Sequence, residues 1–135
     1  MFQLNTTLAR DSHPIVEDAD LLIRLIDDAR FAWVLVVPKV AGLTELHDLD
    51  NALFDKTFRV VRRLGRVLKA EFAAEKINTA AIGNMVSQLH VHVVARHKKD
   101  AAWPGPVWGA GAMVSLSDPE KTKSIQLIKD GLRLD

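Results

Sequence analysis

Apolar and polar residues alternate along the chain in blocks that predict strands and helices. Leu21–Ile26 is apolar except for Arg24, and Trp33–Val37 is an uninterrupted apolar run followed by Pro38. The short polar stretch 27–30 between these runs is typical of the turn of a β-hairpin. Because proline lacks the N–H that a sheet ladder needs, the second strand is expected to end at Pro38.

Two segments have the spacing of amphipathic helices. Between Asp48 and about Phe72, apolar residues recur at helical intervals with charged residues between them, which predicts a long helix capped by Asp48 or Asp50. A second helix is predicted to begin after Ser117 and to continue to about residue 132. Its first residues combine a capping serine with an early proline, and apolar positions follow at helical spacing.

A second pair of strands lies between the two helices. Ile77–Ile82 and Gln88–Arg96 are predicted strands, Gly83–Asn84 is a turn, and 103–109 is a loop rich in proline and glycine. The first 20 residues are polar and mixed, which predicts an irregular or edge-forming segment. The order of hairpin, helix, hairpin, loop and helix favours an α+β fold with an antiparallel sheet of about five strands.

Composition limits the classes of protein that fit this pattern. The chain has 135 residues, of which 48% are hydrophobic and 26% charged, so we expect a single globular domain over 1–135 with no membrane span. A formal charge of +1 provides no general attraction for nucleic acid or an anionic membrane. The absence of cysteine excludes disulfides and thiol nucleophiles, and we expect a cytoplasmic protein.

The candidate chemistry lies in Gln88-Leu89-His90-Val91-His92-Val93-Val94. Alternate side chains of a strand share a face, so Gln88, His90 and His92 are predicted to form one polar row at a spacing of about 6.5 Å. The apolar residues between them would then face the core. The remaining histidines occur in predicted loops or strand ends, where we expect solvated side chains; they are His13, His47 and His97.

Three interpretations of His90 and His92 are compatible with the residues alone. They could be half-exposed strand histidines without a role. They could chelate a metal ion, although no cysteine exists and no carboxylate is near them in sequence. They could also act in nucleophilic catalysis, in which a neutral imidazole attacks phosphorus while its other nitrogen is held as N–H by an acceptor.

This motif resembles the His-φ-His-φ-His-φ-φ signature of the histidine triad (HIT) superfamily, in which φ is an apolar residue. Three further segments resemble the same family, namely Val34–Lys39, Leu46–Leu49 and Trp103–Gly105. The similarity spans roughly residues 21 to 108 in the family's order. Within the superfamily, the chain is most similar to short bacterial HIT-domain proteins of the diadenosine-tetraphosphate-hydrolase-like kind.

The resemblance implies a homodimer whose sheets join across the interface, with a nucleotide site on the motif strand. Relatives cleave nucleoside phosphate derivatives at the α-phosphorus through a nucleotidyl-histidine. The family's nucleophile corresponds to His90, and its third histidine corresponds to His92, which is expected to bind phosphate oxygen or assist the leaving group. No intrinsic metal or other cofactor is implied, although magnesium can accompany a polyphosphate substrate.

Gln88 departs from the family pattern, because the first motif position is usually histidine. Glutamine forms hydrogen bonds but cannot carry a proton near pH 7. A backbone carbonyl could still fix the tautomer of the nucleophile. Two functions therefore remain open: a nucleotide hydrolase or nucleotidyl transferase, and a nucleotide-binding regulatory protein with weak or no turnover.

Candidate substrate-binding residues are less specific than the motif. Asp27 matches the place of the family's ribose-binding residue but is equally typical of an Asx turn. Asn84 could bind a phosphate group or serve only as a turn residue, and the hydroxyl of Ser87 would reach phosphate only if the strand bends there.

The residues after the motif have open roles as well. Arg96 has the same strand parity as His92, but we expect a solvated arginine at the strand exit. Trp103 could pack on the nucleotide base, close the partner's site or anchor the loop. For Trp108 we favour a loop anchor.

Overall fold

The computed structural model describes residues 1–134, which form one five-stranded antiparallel sheet with helices. The sheet order is β1-β2-β3-β5-β4. The predicted α+β architecture with about five strands is confirmed. The strands are β1 (Ser12–Glu17), β2 (Leu21–Ile26), β3 (Ala32–Pro38), β4 (Lys76–Ala80) and β5 (Val91–Arg96). The helices are α1 (Thr6–Arg10), a 3-10 turn (Leu46–Asp48), α2 (Asn51–Glu71) and α3 (Asp118–Leu132).

The main core lies between one face of the sheet and the two long helices. Val34 and Val36 of β3 lie beside Val91 and Val93 of β5, and all four side chains are buried against the helices. The α2 stripe that covers them follows the predicted helical period and comprises Val60, Val61, Leu64 and Leu68. Burial of these side chains on both layers stabilises the fold and fixes which face of β5 points away from the core.

Both long helices begin where their capping residues predict. The side chain of Asp50 accepts a hydrogen bond from the N–H of Leu53, which identifies Asp50 rather than Asp48 as the cap of α2. Ser117 and Glu120 form a reciprocal capping box at α3, and a proline occupies its first turn. None of the helices in the described part of the chain is both long enough and apolar enough to cross a membrane.

The opposite face of the sheet is covered by a second apolar cluster. Trp33, Leu35 and Val37 of β3 pack there with Val94 of β5. The N-terminal segment and the loop after β5 cover this face, through Phe2, Leu4, Leu8, Val107 and Trp108. The lead-in predicted as irregular or edge-forming contains the edge strand β1 and also α1, which the sequence analysis missed because five residues are too few for a helical period.

The motif strand is shorter than predicted. The strand expected over Gln88–Arg96 begins at Val91, because the N–H of Leu89 donates to the carbonyl of Leu43, in the loop after β3, at 3.0 Å. The strand expected over Ile77–Ile82 likewise occupies Lys76–Ala80. Strand alternation therefore places His92 but does not extend back to Gln88.

Candidate active site

His90 and His92 form a buried pair at the start of β5. Their ring centroids lie 4.8 Å apart and their planes meet at 63°. The two residues retain only 7% and 6% of their full exposure, respectively. His92 lies between Leu35 of β3 and Ala80 of β4 in the sheet register. The prediction that the two histidines lie together is confirmed.

Hydrogen bonding assigns the tautomer of His90. Its Nδ1 lies 2.6 Å from the carbonyl oxygen of Gln88. Since a carbonyl only accepts hydrogen bonds, Nδ1 carries the proton and donates it. The lone pair of the neutral ring is then on Nε2. His90 thus has the arrangement that a nitrogen nucleophile requires, with a backbone carbonyl fixing the tautomer.

His92 has the opposite tautomer. The indole Nε1–H of Trp33 donates to Nδ1 of His92 at 3.0 Å, and because indole nitrogen is only a donor, Nδ1 must be unprotonated. The proton of the neutral ring is therefore on Nε2. Burial lowers the pKa of His92 to about 3, and electrostatic repulsion from the neighbouring His90 adds to the effect. At neutral pH, His92 is an uncharged hydrogen-bond donor.

A cleft of about 240 Å³ opens beside His90. Its walls come from the loop after β3, the turn after β4 and the start of the motif; they include Thr44, Glu45, Leu46, His47, Ala81, Ile82, Gly83 and Leu89. This volume approaches the lower end of the roughly 300–1,000 Å³ range of ligand pockets. His90 is part of the lining, so a ligand bound in this cleft would lie next to that residue.

Two tryptophans, Trp33 and Trp108, pack against the ring of His92. The ring of Trp108 lies 5.1 Å from that of His92 and 6.1 Å from that of Trp33, both nearly edge to face. The Nε1 of Trp108 is buried and has no hydrogen-bond partner among the described residues. Trp108 thus anchors its loop, as expected, and does so against a motif histidine, which the sequence analysis did not foresee.

Comparison with known proteins identifies the family. The HIT domain family model matches residues 8–99. The chain belongs to the HIT-domain family. No curated protein is significantly similar to it in sequence. The matched residues include all five strands, the long helix α2 and the histidine motif, so these features belong to one HIT domain.

Solved HIT proteins are similar over nearly the whole chain. A histidine triad protein from Sinorhizobium meliloti is 37% identical, with a TM-score of 0.94 and 97% coverage of both chains. One from Bradyrhizobium japonicum is 33% identical, with a TM-score of 0.94 and 98% coverage of both chains. One from Marinobacter aquaeolei is 35% identical, with a TM-score of 0.94, and the match covers 98% of this chain and 96% of that chain.

Asp27 of this HIT domain is occupied by contacts within the protein. Its carboxylate accepts hydrogen bonds from the N–H of Leu116 at 3.0 Å and interacts with Nε2 of His13 at 3.1 Å. The Leu116 N–H, followed by the contribution of His13, lowers the pKa of the Asp27 carboxyl. A role of Asp27 in ribose binding stays a prediction, while its observed contacts join the β2–β3 turn to the segment before α3.

Asn84 and Ser87 lie in the turn between β4 and β5, close in sequence to the cleft residue Gly83. Both residues are exposed, and neither side chain makes a hydrogen bond within residues 1–134. Gly83 has a positive φ of 73°, which allows the chain to turn there. Their predicted phosphate contacts stay predictions, and their polar groups are available to a ligand.

Arg96 and Trp103 pack against each other after the motif. Arg96 is 1% exposed and bonds with Asp100, Asn78 and the carbonyl of Gly105, so the expectation of a solvated arginine is wrong. Its guanidinium lies 5.6 Å from the centre of the Trp103 ring. A substrate contact of Trp103 stays a prediction, because the structure brings Trp108 rather than Trp103 against His92.

Of the three histidines outside the motif, only His47 has the solvated side chain that the sequence predicts. His47 is well exposed and also lines the cleft, which the sequence analysis missed. His13 is half-buried beside Asp27, and Nε2 of His97 lies 2.8 Å from the carbonyl of Phe72. The prediction of solvated side chains is therefore wrong for His13 and His97, since each is held by a partner distant in sequence.

The side chain of Gln88 binds the N-terminal segment. Its Oε1 accepts from the N–H of Asn5 at 2.8 Å, and its Nε2 donates to the carbonyl of Gln3 at 2.9 Å. Only the main-chain carbonyl of Gln88 contacts His90. The predicted polar row therefore does not include the Gln88 side chain, because the residue precedes the strand; a catalytic role for that side chain stays a prediction.

Replacing Gln88 with histidine is expected to change kcat/KM by less than about tenfold, equivalent to about 1.4 kcal/mol. The carbonyl that orients His90 is retained, whereas the two bonds to the N-terminal segment are lost or weakened. Hydrogen exchange should therefore accelerate at the Asn5 amide. Gln126→His on the exposed face of α3 is the matched control and should leave that amide unchanged. A gain in turnover of a hundredfold would contradict this account.

Proposed function

We propose that this HIT-domain protein is a nucleotide hydrolase or nucleotidyl transferase that cleaves at the α-phosphorus of a nucleoside phosphate derivative. The observation that supports this proposal is the pair of opposite tautomers. Nδ1 of His90 donates to the Gln88 carbonyl and Nδ1 of His92 accepts from Trp33, which leaves a lone pair on Nε2 of His90 and a proton on Nε2 of His92, in two rings whose centroids are 4.8 Å apart. Attack and stabilisation of a phosphoryl group need one of each.

The first step forms a bond between His90 Nε2 and the α-phosphorus. In an anhydride or phosphosulfate substrate, the phosphorus–oxygen bond to the leaving group breaks, and its electron pair stays on the departing oxygen. The Nε2–H of His92 donates a hydrogen bond to a phosphoryl oxygen as charge develops there. A neutral nitrogen nucleophile avoids the repulsion that an anion would meet at a negatively charged phosphate.

The second step transfers the nucleotide to water or another acceptor. The acceptor oxygen bonds to phosphorus, the phosphorus–nitrogen bond breaks, and its electron pair returns to Nε2 of His90. When the acceptor is water, its released proton passes to solvent. The products are then a nucleoside monophosphate and the leaving group.

The fold and the composition suggest the oligomeric state, the cofactor requirement and the location of the protein. β4 is an edge strand of the sheet and pairs only with β5 among the described residues, so we propose that a second copy joins there to form a homodimer. Magnesium is proposed only as a companion of a polyphosphate substrate, with no intrinsic cofactor. A cysteine-free chain also suits the reducing cytoplasm, which is the proposed location.

A substrate panel in ¹⁸O-labelled water tests this function. Dinucleoside polyphosphates, nucleoside phosphoramidates and nucleoside phosphosulfates are incubated with the protein, and products are identified by mass spectrometry. Cleavage at the α-phosphorus places the label in the nucleoside monophosphate, and His90→Ala is the control for contaminating activity. Tight nucleotide binding without cleavage of any compound would instead support the regulatory protein suggested by Gln88.

A further inference from the structure

Trp33 contacts His92 because of the register of the sheet. β3 and β5 are antiparallel, with Leu35 opposite His92 and Val94 opposite Trp33. Trp33 is therefore the diagonal neighbour of His92 on the same face, close enough for a long side chain to reach. Its indole N–H donates to Nδ1 of His92 at 3.0 Å, and its residue is only 8% exposed. The contact is thus built from two buried partners on rigid strands.

The hydrogen bond from Trp33 disfavours the doubly protonated form of His92, which is the form that acts as a general acid. A neutral ring with a proton on Nε2 donates a hydrogen bond, but it releases a proton readily only as the doubly protonated imidazolium. Protonating Nδ1 would place its new N–H against the N–H of Trp33 and would bury a charge. Among the described residues, the aromatic rings that contact His92 are those of His90, Trp33 and Trp108, and none of them carries a negative charge that could compensate.

Formation of the bond between His90 and phosphorus makes protonation of His92 still less favourable. When His90 Nε2 bonds to phosphorus while Nδ1 keeps its proton, the His90 ring becomes cationic. A second positive ring 4.8 Å away would be repelled in this buried site. His92 is therefore held neutral at the moment when a leaving group would need a proton.

We propose that Trp33 is a positioning residue that makes His92 a hydrogen-bond donor rather than a proton donor, and that the site consequently selects substrates by the basicity of the leaving group. This inference rests on the proposed function. A phosphate-anhydride or sulfate oxygen departs as a stable anion that needs no proton. An amine leaving from a phosphoramidate needs one, and neither histidine of the pair supplies it.

The spectroscopic test uses protein labelled with ¹⁵N in its histidine rings and needs no substrate. In the wild type, His92 should show an unprotonated, pyridine-type Nδ1 and a protonated, pyrrole-type Nε2. Trp33→Phe removes the N–H but keeps an aromatic ring, and should give a mixture of tautomers. Trp108→Phe is the matched control and should keep the wild-type tautomer, because the Trp108 N–H bonds to no acceptor in the described chain.

The wild-type spectrum alone can overturn the assignment. A protonated Nδ1 on His92 would contradict it even if Trp33→Phe failed to fold. An unchanged tautomer in a folded Trp33→Phe protein would contradict it as well.

The kinetic test compares an anhydride and a phosphoramidate of the same nucleotide in single turnovers at pH 7.5. General acid catalysis contributes about a hundredfold or more, so the anhydride should react at least a hundredfold faster in the wild type. Equal rates would overturn the selectivity proposed here. Failure to cleave either compound would overturn the selectivity, and failure with the whole substrate panel would also overturn the proposed function. The ¹⁵N spectrum would still decide the role of Trp33 in both cases.

Discussion

His90→Ala is expected to lower kcat/KM by at least a thousandfold, which corresponds to about 4 kcal/mol of lost transition-state stabilisation. Alanine removes the Nε2 lone pair that attacks phosphorus, and no other described histidine has its Nδ1 held by the Gln88 carbonyl. Nucleotide binding should fall by less than tenfold, because the cleft walls come from several segments. Rates are measured with the fastest substrate of the panel, and binding is measured by calorimetry with the product nucleotide.

His97→Gln is the matched control for this variant. It changes the histidine that follows β5, at the other end of the strand from His90. The His97 ring bonds to the Phe72 carbonyl and does not line the cleft. Its kcat/KM should stay within about threefold of the wild type. Full activity in a pure His90→Ala protein would show that the nucleophile lies elsewhere.

Asp100→Asn is expected to lower the free energy of unfolding by about 3–5 kcal/mol. The Asp100 carboxylate forms two hydrogen bonds with the Arg96 guanidinium, at 2.8 and 3.1 Å, and both side chains are almost fully buried. It also accepts from three backbone N–H groups of the following loop, at His97, Ala102 and Trp103. Asparagine leaves the buried Arg96 charge without its counterion. Urea denaturation followed by circular dichroism measures the loss.

The loss of stability caused by Asp100→Asn should become smaller at low pH. Arg96, followed by the backbone donors, holds the pKa of the Asp100 carboxyl well below its usual range. The charged carboxylate therefore contributes its full stability above the unfolded value of about 3.9, and that contribution falls as the pH drops through the folded value. The difference between wild type and Asp100→Asn should be constant from pH 5 to 8 and should shrink below about pH 4.

Asp118→Asn is the control for the stability measurement. Asp118 is 96% exposed and lies 3.6 Å from Lys121, so its loss should cost less than about 0.5 kcal/mol. If Asp100→Asn is as stable as this control, the buried pair does not hold the loop that carries Trp103 and Trp108.

Sequence periodicity predicts the elements whose signals are local. The long stripe of α2, the capping box at Ser117 and the hairpin ending at Pro38 are all confirmed because each depends on neighbouring residues. β1 is harder to predict, since Pro14 lies within it and its register with β2 shifts between Pro14 and Val16. An edge strand tolerates such irregularity, so its sequence carries a weak signal.

The motif predicts the histidine pair but not the groups that control it. Trp33 and His92 are 59 positions apart, and Gln88 and Asn5 are 83 positions apart. Only the sheet register and the path of the N-terminal segment bring these residues together. Arg96 shows the same limit, because its strand parity is predictable whereas its burial depends on Asp100 folding back over it.

Trapping the covalent intermediate tests the role of His90 most directly. Protein mixed with excess substrate is quenched in base, where a phosphorus–nitrogen bond survives, and digested with trypsin to release the peptide 77–96 that contains both motif histidines. We expect an added nucleoside monophosphate, located on His90 by fragment ions, that is present in His97→Gln and absent in His90→Ala. An adduct located on His92, or rapid turnover with no adduct at any quench time, would contradict it.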